Sequence, residues 1–420
     1  MSTRGRDRGR SRKSRGARPR SRTTEPERFV EIRIDSLAAG GDGVGRDSEN
    51  RVVFVPFTAP GDRVRVRVVE AHARFLVGLV DALLEPSPVR TDPVCAVFGT
   101  CGGCSWQHIE YEAQIAAKAD IVRDAFTRIG KLTLPSAVEV APSPETYGYR
   151  SRARVLADGT KVGFRRRRSH VVCATDRCPI LVPELRSELA ALAKDPPRRA
   201  GEWELACGGG APRAVALPAP GGRPIRFRVN DVDYAVSPGV FVQSNAMMLE
   251  RLDHAVTAAA GTGILALDLF AGAGFLTVGL ARSFDHVIAV ESHATAVRDL
   301  RSNLSSAGCG SVEVIESRVE DALLGARIAP QRPDAVILDP PRTGLPPDTA
   351  DAIADLAPQR IVYLACDPAT QARDARVFCA RGYELVSLEG FDLFPQTPHV
   401  ETLAVFEASD QGSTSPWRTA

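Results

Sequence analysis

From residue 238 onward the sequence alternates short apolar runs with helix-length stretches: "GILALDLFAGAGFLTVGLARSF", "HVIAVESHATAVRDLRSNLSSAG", "VEVIES", "PDAVILDPPRTG", "RIVYLAC" and "TLAVFEA". Brief, nearly continuous apolar runs bounded by Gly or Pro read as strands buried on both faces, and the stretches between them read as crossover helices. That pattern predicts an α/β domain over 238–409 built on a mostly parallel sheet. Such sheets collect their chemistry at the carboxyl ends of the strands, where "LFAGAG", "LDPPRTG" and "LACDPAT" all fall.

A chain of 420 residues exceeds one ordinary domain, so the N-terminal half needs its own organisation. Residues 1–22 hold ten Arg or Lys against one acid, Asp7, which leaves 43 bases against 50 acids in the remainder. Segment 1–26, poor in apolar residues, is expected to be disordered, either as a solubilising tail or, by preference, as a sequence-blind arm for polyanions. Residues 27–88 alternate in strand fashion between turns at 40–45 and 60–61, which predicts a small antiparallel OB-like barrel. Arg63, Arg65 and Arg67 share one face of it, as a solvated face or a nucleic-acid face. Residues 89–237 are expected to form a central, β-rich region, with a helix over 110–130 that sets Ile115, Ala119, Val122 and Phe126 on one face and packs on the catalytic domain. The last residues, 410–420, read as a loose tail.

No apolar run approaches the ~18 residues of a membrane span, and the basic N-terminus lacks a secretory apolar stretch. A cytoplasmic, monomeric protein without membrane contact is expected. The nine cysteines are an odd number and argue against a disulfide framework.

In "LALDLFAGAG" a buried strand runs into Gly272 and Gly274 and then a helix, a turn able to bring backbone close to a ligand. The next strand ends at Glu291, placed to accept from ribose hydroxyls. Position 277 is Thr, so the third glycine of a dinucleotide fingerprint is missing. With Asp268 before the turn, a cationic, amine-bearing nucleoside fits better than NAD, and S-adenosylmethionine meets that description. A tight turn without ligand is the plain alternative. Asp339, fixed by two following prolines, is expected in the same cleft, although alone it would serve equally as a helix cap. Cys366 ends another strand; taken alone it reads as core filler.

Together, "FVQSN" (241–245), "DLFAGAG" (268–274), "DPPRTG" (339–344), "VYLACDPAT" (362–370) and "FDLFPQTPHVE" (391–401) resemble the RNA uracil-5-methyltransferase family, in family order. The resemblance covers 27–408. It implies a Rossmann-like class I S-adenosylmethionine methyltransferase domain, an N-terminal TRAM barrel that binds RNA, and a central β-rich iron–sulfur domain. By position it makes Cys366 the nucleophile and Glu401 the general base, and sets Gln243, Phe270, Phe275, Glu291, Arg318 and Asp339 at the methyl donor or target base. The chemistry needs those two groups. A thiolate adding to uracil C6 turns C5 into an enolate carbon able to attack the sulfonium methyl, and a base then removes the C5 proton so that sulfur can leave. The chain departs from the usual Ser-Cys-Asn-Pro: Ala365 and Asp367 flank Cys366, and an acid beside the thiol should raise its pKa.

Cys95, Cys101 and Cys104, with Cys178 in "RCPIL", are similar to the iron–sulfur pattern of a ribosomal branch of this family, which implies a 4Fe–4S cluster, with zinc the main alternative and Cys173 a competitor for the fourth place. The same resemblance favours ribosomal RNA over tRNA. The run Arg165–Arg168 and Tyr149, Arg150, Arg152 and Arg154 are expected to line an RNA path. Two other functions compete: an RNA-binding assembly factor with weakened catalysis, and a methyltransferase acting on nitrogen of a small or protein substrate.

Overall fold

Along Arg63–Ala71, β4, valines alternate with arginines, and the pleat buries Val64 and Val66 completely while Arg63 and Arg65 stay in solvent. This strand closes a five-stranded barrel with β1 (Phe29–Leu37), β2 (Gly43–Arg46), β3 (Val52–Val55) and β5 (Phe75–Glu85), in the order β1-β2-β3-β5-β4. The exposed arginines do not form an open basic stripe. Arg63 bridges Glu31 and Glu85, and Arg65 pairs with Asp81. The computed structural model describes residues 28–219 and 221–409. The basic arm 1–26 and the tail 410–420 lie outside the described residues. Among the described residues no helix is long and apolar enough to cross a membrane.

Helix α1 (Tyr111–Asp124) runs into a single wide turn, Ala125–Ile129, closed by the Gly130 N–H on the Ala125 carbonyl. Val122 and Phe126 are fully buried as their spacing predicts, but Ile115 and Ala119 are only half covered. The helix instead turns Gln114 and Lys118 into the interior. After β6 (Glu139–Ala141), a five-stranded antiparallel sheet forms from β7 (Arg152–Ala157), β8 (Val162–Arg165), β9 (Val172–Ala174), β10 (Gly201–Ala206) and β11 (Arg213–Ala216), ordered β11-β10-β7-β8-β9. Helix α2 (Pro183–Lys194) covers it through Leu185 and Leu189.

The C-terminal half begins with a hairpin, β12 (Ile225–Val229) and β13 (Val232–Val236), and helix α3 (Leu249–Ala260). Then β14 (Gly263–Leu269), α4 (Phe275–Leu280), β15 (Phe284–Glu291), α5 (Ala294–Ala307), β16 (Val312–Glu316) and α6 (Val319–Leu324) follow. The chain continues through β17 (Ala335–Leu338), α7 (Thr349–Asp355), β18 (Arg360–Ala365), α8 (Pro368–Ala380), β19 (Tyr383–Phe391) and β20 (Glu401–Ala408). The eight-stranded sheet runs β16-β15-β14-β17-β18-β20-β19-β6, parallel from β16 to β18 and antiparallel on either side of β20. Apolar cores cover both faces, one built with α1, α6, α7 and α8 and the other with α3 and α4. From β14 the chain winds outward to β16 and then returns to β17 on the other side, so the strand order reverses beside β14 and opens a crevice at the carboxyl ends.

The central segment is locked onto this sheet. Strand β6 extends it beyond β19, and Lys118 makes a fully buried ion pair with Asp392 at 2.5 Å while donating to the Phe394 carbonyl at 3.1 Å. Gln114 and Gln396 exchange two hydrogen bonds: the Gln396 N–H donates to Gln114 Oε1 and Gln114 Nε2 donates to Gln396 Oε1. Breaking a buried pair leaves one charge uncompensated, so Lys118→Met is expected to cost about 3–5 kcal/mol of stability in denaturant titration. Pairing it with Asp392→Leu should recover most of that loss.

Candidate active site

Cys366 directly follows β18 and Glu401 opens β20. These strands pair antiparallel with Ala365 opposite Thr402, so the next step of the ladder sets Cys366 across from Glu401. Asp339 follows β17, whose last residue, Leu338, is level with Leu269 on β14. Phe270 comes next on that strand, and since Leu269 faces Val290, it stands level with Glu291 at the end of β15. Four neighbouring strand ends thus deliver Glu291, Phe270 and Asp339 to one level and Cys366 two residues further along. With Gln243, Phe275 and Glu401 they border a single cavity of about 810 Å³.

The Gly-rich turn is shaped for a ligand. Phe270 and Gly272 take positive φ, 68° and 55°, and Gly274 takes 89°. A bulky residue rarely adopts such a conformation unless its surroundings impose it. A Cβ on Gly272 would meet nothing within 4 Å, so this backbone faces open space. Glu291 braces the turn, accepting from the Gly272 N–H at 2.9 Å on one oxygen and from the Ser292 and His293 N–H groups at 2.7 and 2.6 Å on the other. Asn303 on α5 ties the Ala273 carbonyl to both polar groups of Ala235, which fixes the hairpin as the outer wall.

Electrostatically the cavity is short of positive charge at its floor. Asp268, buried and accepting from Thr277 Oγ1 at 2.5 Å, is pushed up to about 6 by burial. Asp339 is pushed up to about 7 by its low-polarity setting and then by the neighbouring Asp268. Glu401 is 1% exposed, neither of its oxygens has a hydrogen-bond partner, and burial followed by Asp339 drives its pKa well up. Burial, then Glu401, pushes the Cys366 thiol up to about 12, while the Arg342 guanidinium pulls it down. Buried Gln243 likewise keeps Oε1 unpartnered. Unsatisfied polar groups in a dry pocket are costly, and they mark where a polar ligand would be received.

Asp367 does not act on the thiol as its sequence position suggests. Its carboxylate caps α8, accepting from the Ala369 and Thr370 N–H groups at 2.9 and 3.1 Å. Ala365 offers its carbonyl to the Thr402 hydroxyl at 3.0 Å. Arg318 stands apart from the other residues: it precedes α6, its side chain is 71% exposed and it pairs with Glu320. Arg342 also borders the cavity; it lies inside "DPPRTG", where nothing local distinguishes it from a surface arginine.

Cys95, Cys101, Cys104 and Cys178 border the far end of the same cavity. Burial chiefly, then one another's proximity, raises the thiols of Cys101 and Cys104 to about 12. Cys173 lies close to Cys101 but is buried in β9, away from the cavity. Among the described residues no three His, Cys, Asp or Glu side chains converge tightly enough for a single metal ion. Of the residues expected along an RNA path, Arg154, Arg165, Arg166 and Arg168 are exposed, and several of the others are tied to protein partners. Tyr149 is fully buried with its hydroxyl on the Pro395 carbonyl at 2.9 Å, and Arg152 and Arg213 share the buried Glu204. Arg165 pairs with Glu202, and Arg167 and Arg168 with Asp42; Arg150 and Arg154 do border the cavity.

Known proteins share this arrangement. The tRNA (Uracil-5-)-methyltransferase family model matches residues 225–408, and the TRAM domain model matches 24–80. An uncharacterized RNA methyltransferase of Thermosynechococcus vestitus is 32% identical over 90% of this chain and 98% of its own length, and one of Streptomyces coelicolor is 35% identical over 91% and 93%. The crystal structure of Pyrococcus abyssi tRNA (uracil-54, C5)-methyltransferase, in complex with S-adenosyl-L-homocysteine, superposes with a TM-score of 0.70 at 26% identity, covering 90% of this chain and all of that one. Matched nearly end to end by these relatives, the chain belongs to the RNA uracil-5-methyltransferase family: a methyltransferase domain of that family preceded by a TRAM barrel.

Proposed function

We propose that the protein forms 5-methyluridine in RNA from S-adenosylmethionine, with ribosomal RNA as its substrate, acting as a cytoplasmic monomer. The observation that carries the reading is the register of β18 on β20, which sets Cys366 across from Glu401 in the cavity that the Gly272 turn borders. S-adenosylmethionine supplies an electrophilic methyl group on a sulfonium. The residues fit such a ligand: the Gly272 backbone faces open space, Glu291 borders the cavity beside that turn, Gln243 keeps an unpartnered oxygen, and Asp268 and Asp339 favour a cation.

Cys366 adds through sulfur to uracil C6, and the ring's electron pair moves onto O4 as an enolate. Asp339, protonated part of the time near neutral pH, is placed to hold the uracil edge. C5 then forms its bond to the methyl carbon as the methyl–sulfur bond breaks. Glu401 takes the C5 proton, and the C6–sulfur bond breaks to free the thiolate. Arg342 favours the charged forms of both Cys366 and Glu401. The weakened-catalysis reading rests on Ala365 and Asp367 beside Cys366; of these, Asp367 directs its carboxylate to capping α8.

Cys95, Cys101, Cys104 and Cys178, which border the same cavity, would hold a 4Fe–4S cluster through four thiolates. The cysteine pattern also supports ribosomal RNA, whereas the archaeal neighbour is named for tRNA.

Cys366→Ala should abolish methyl transfer, and Glu401→Gln should add to RNA without turning over, leaving a denaturant-stable protein–RNA adduct on gels. Failure to form 5-methyluridine in any cellular RNA would end the reading, and mapping that nucleoside in ribosomal RNA and tRNA from a deletion strain decides the substrate. A cation settling beside Asp268 and Asp339 lowers their raised pKa values, so donor binding releases protons. Affinity for S-adenosylmethionine should therefore rise between about pH 5 and about pH 8, by up to about tenfold per unit for each proton released. Asp339→Asn should flatten that rise in calorimetry. Anaerobically purified protein should carry about four irons and about four sulfides per chain, and lose them in Cys101→Ser.

A further inference from the structure

A second cavity, of about 630 Å³, opens where the barrel meets the cysteine loop. Its walls are Phe57 and Leu83 from the barrel and Arg90, Pro93, Phe98 and His108 from the segment that follows. Phe98 also borders the catalytic cavity, so the two spaces are neighbours separated by that ring and the loop carrying Cys95 and Cys101. We propose that this second cavity receives an unpaired nucleobase of the RNA whose target uridine sits near Cys366. This rests on the methyltransferase reading above and adds a recognition subsite to it.

The walls have the chemistry of a base pocket. Phe57 and Phe98 meet edge to face at 5.3 Å, and Phe98 lies 5.6 Å from the His108 ring. His108 is 3% exposed, and its ring reaches the Thr58 backbone without a well-aligned hydrogen bond from either nitrogen. Burial, opposed by the Thr58 backbone and aided by Arg90, holds the imidazole down to about 4, so it stays neutral. A neutral imidazole offers one donor and one acceptor, which matches the edge of a nucleobase. A polar ring with spare hydrogen-bonding capacity beside half-buried aromatic faces suits a flat heterocycle better than an aliphatic side chain.

The pocket is prebuilt, with Arg90 and Asp92 as the charged groups of its lining and further arginines at its rim. Arg90 is clamped by two bonds to buried Asp62, at 2.8 and 2.7 Å, and by a third to the Phe57 carbonyl at 3.0 Å. The Arg167 guanidinium stacks 5.1 Å from the Phe57 ring centroid. Arg167 and Arg168 share the single acid Asp42, which leaves an excess of one positive charge at the rim for a phosphate. Phe57 itself adopts φ 59°, an unusual backbone for an aromatic residue, and it holds the ring toward the opening. A strand threading from the catalytic cavity past the cysteine loop reaches this opening next. That continuity argues for RNA over a protein partner.

The test uses the full chain and an RNA it methylates. Leu83 is 41% exposed on the rim, so Leu83→Glu changes the opening without emptying a core, and His108→Leu removes the polar edge. Each variant should bind RNA about tenfold more weakly, the scale of one stacked base, while S-adenosyl-L-homocysteine binds as in the parent and the thermal midpoint of Leu83→Glu holds. An abasic scan of the unpaired nucleotides should find one position outside the methylated uridine whose removal costs a similar factor, and the cost should vanish in His108→Leu. Unchanged RNA affinity in both variants overturns the proposal. So does an abasic scan in which no position is masked by His108→Leu, the outcome expected if the pocket holds a protein or nothing. In either case methyl transfer by the parent protein continues, which separates this failure from failure of the methyltransferase reading.

Discussion

The chemistry depends on one pairing, β20 laid antiparallel between β18 and β19. A sheet that continued in parallel would bring strand ends of one polarity to the cleft. Reversing β20 brings a strand beginning there instead, so a residue that follows a long loop, Glu401, meets one that ends a strand, Cys366. Register matters as much as direction, because a slip of one residue would send Glu401 to the other face of the sheet. The ladder is held by more than backbone. The Thr402 hydroxyl bonds both the Ala365 carbonyl and, at 2.5 Å, Gln371 Oε1, while Gln371 Nε2 donates to the Tyr363 and Thr402 carbonyls.

The loop feeding Glu401 into position is itself gripped from the central segment. Asp392 meets Lys118, Gln396 meets Gln114 and the Ser105 and Trp106 N–H groups, and the Pro395 carbonyl meets the Tyr149 hydroxyl. Ser105 directly follows Cys104, so the cysteine loop and the loop before Glu401 share a framework. Carboxylates crowded into a dry cavity cost free energy, and burial raises the pKa values of Asp268, Asp339 and Glu401, which relieves part of that cost.

Much of this was legible in the sequence, because strands buried on both faces and turns built of Gly or Pro leave local marks. The barrel's Val–Arg alternation and the runs ending at Asp339 and Cys366 are of that kind, and the structure gathers Asp339, Cys366 and Glu401 as the motifs imply. Strand β19 went unread: its alternation breaks at a bulge between Leu385 and Ser387. Three residues of β6 are too few to show any period. The protein partners of the central arginines were not legible either. A basic run looks the same whether its partners are phosphates or Glu202, Glu204 and Asp42, which lie far off in sequence. Lys118 inside a helix core defied periodicity likewise, since Asp392 lies 274 residues away. Arg318 fell outside the cavity because a strand-end position fixes backbone, not where a long side chain points.

That 274-residue separation also has a meaning for synthesis. At roughly 5–20 residues per second, Lys118 leaves the ribosome on the order of tens of seconds before Asp392 is made. Until then its ammonium has no counter-charge and must remain hydrated, so α1 cannot settle into its final berth. On that order of synthesis the helix docks late, together with the strand that sets Glu401 across from Cys366. A chain cut short anywhere before residue 392 therefore lacks more than Glu401: it has no dry place to put Lys118. The same salt bridge that joins two regions of the finished enzyme acts as its certificate of full length.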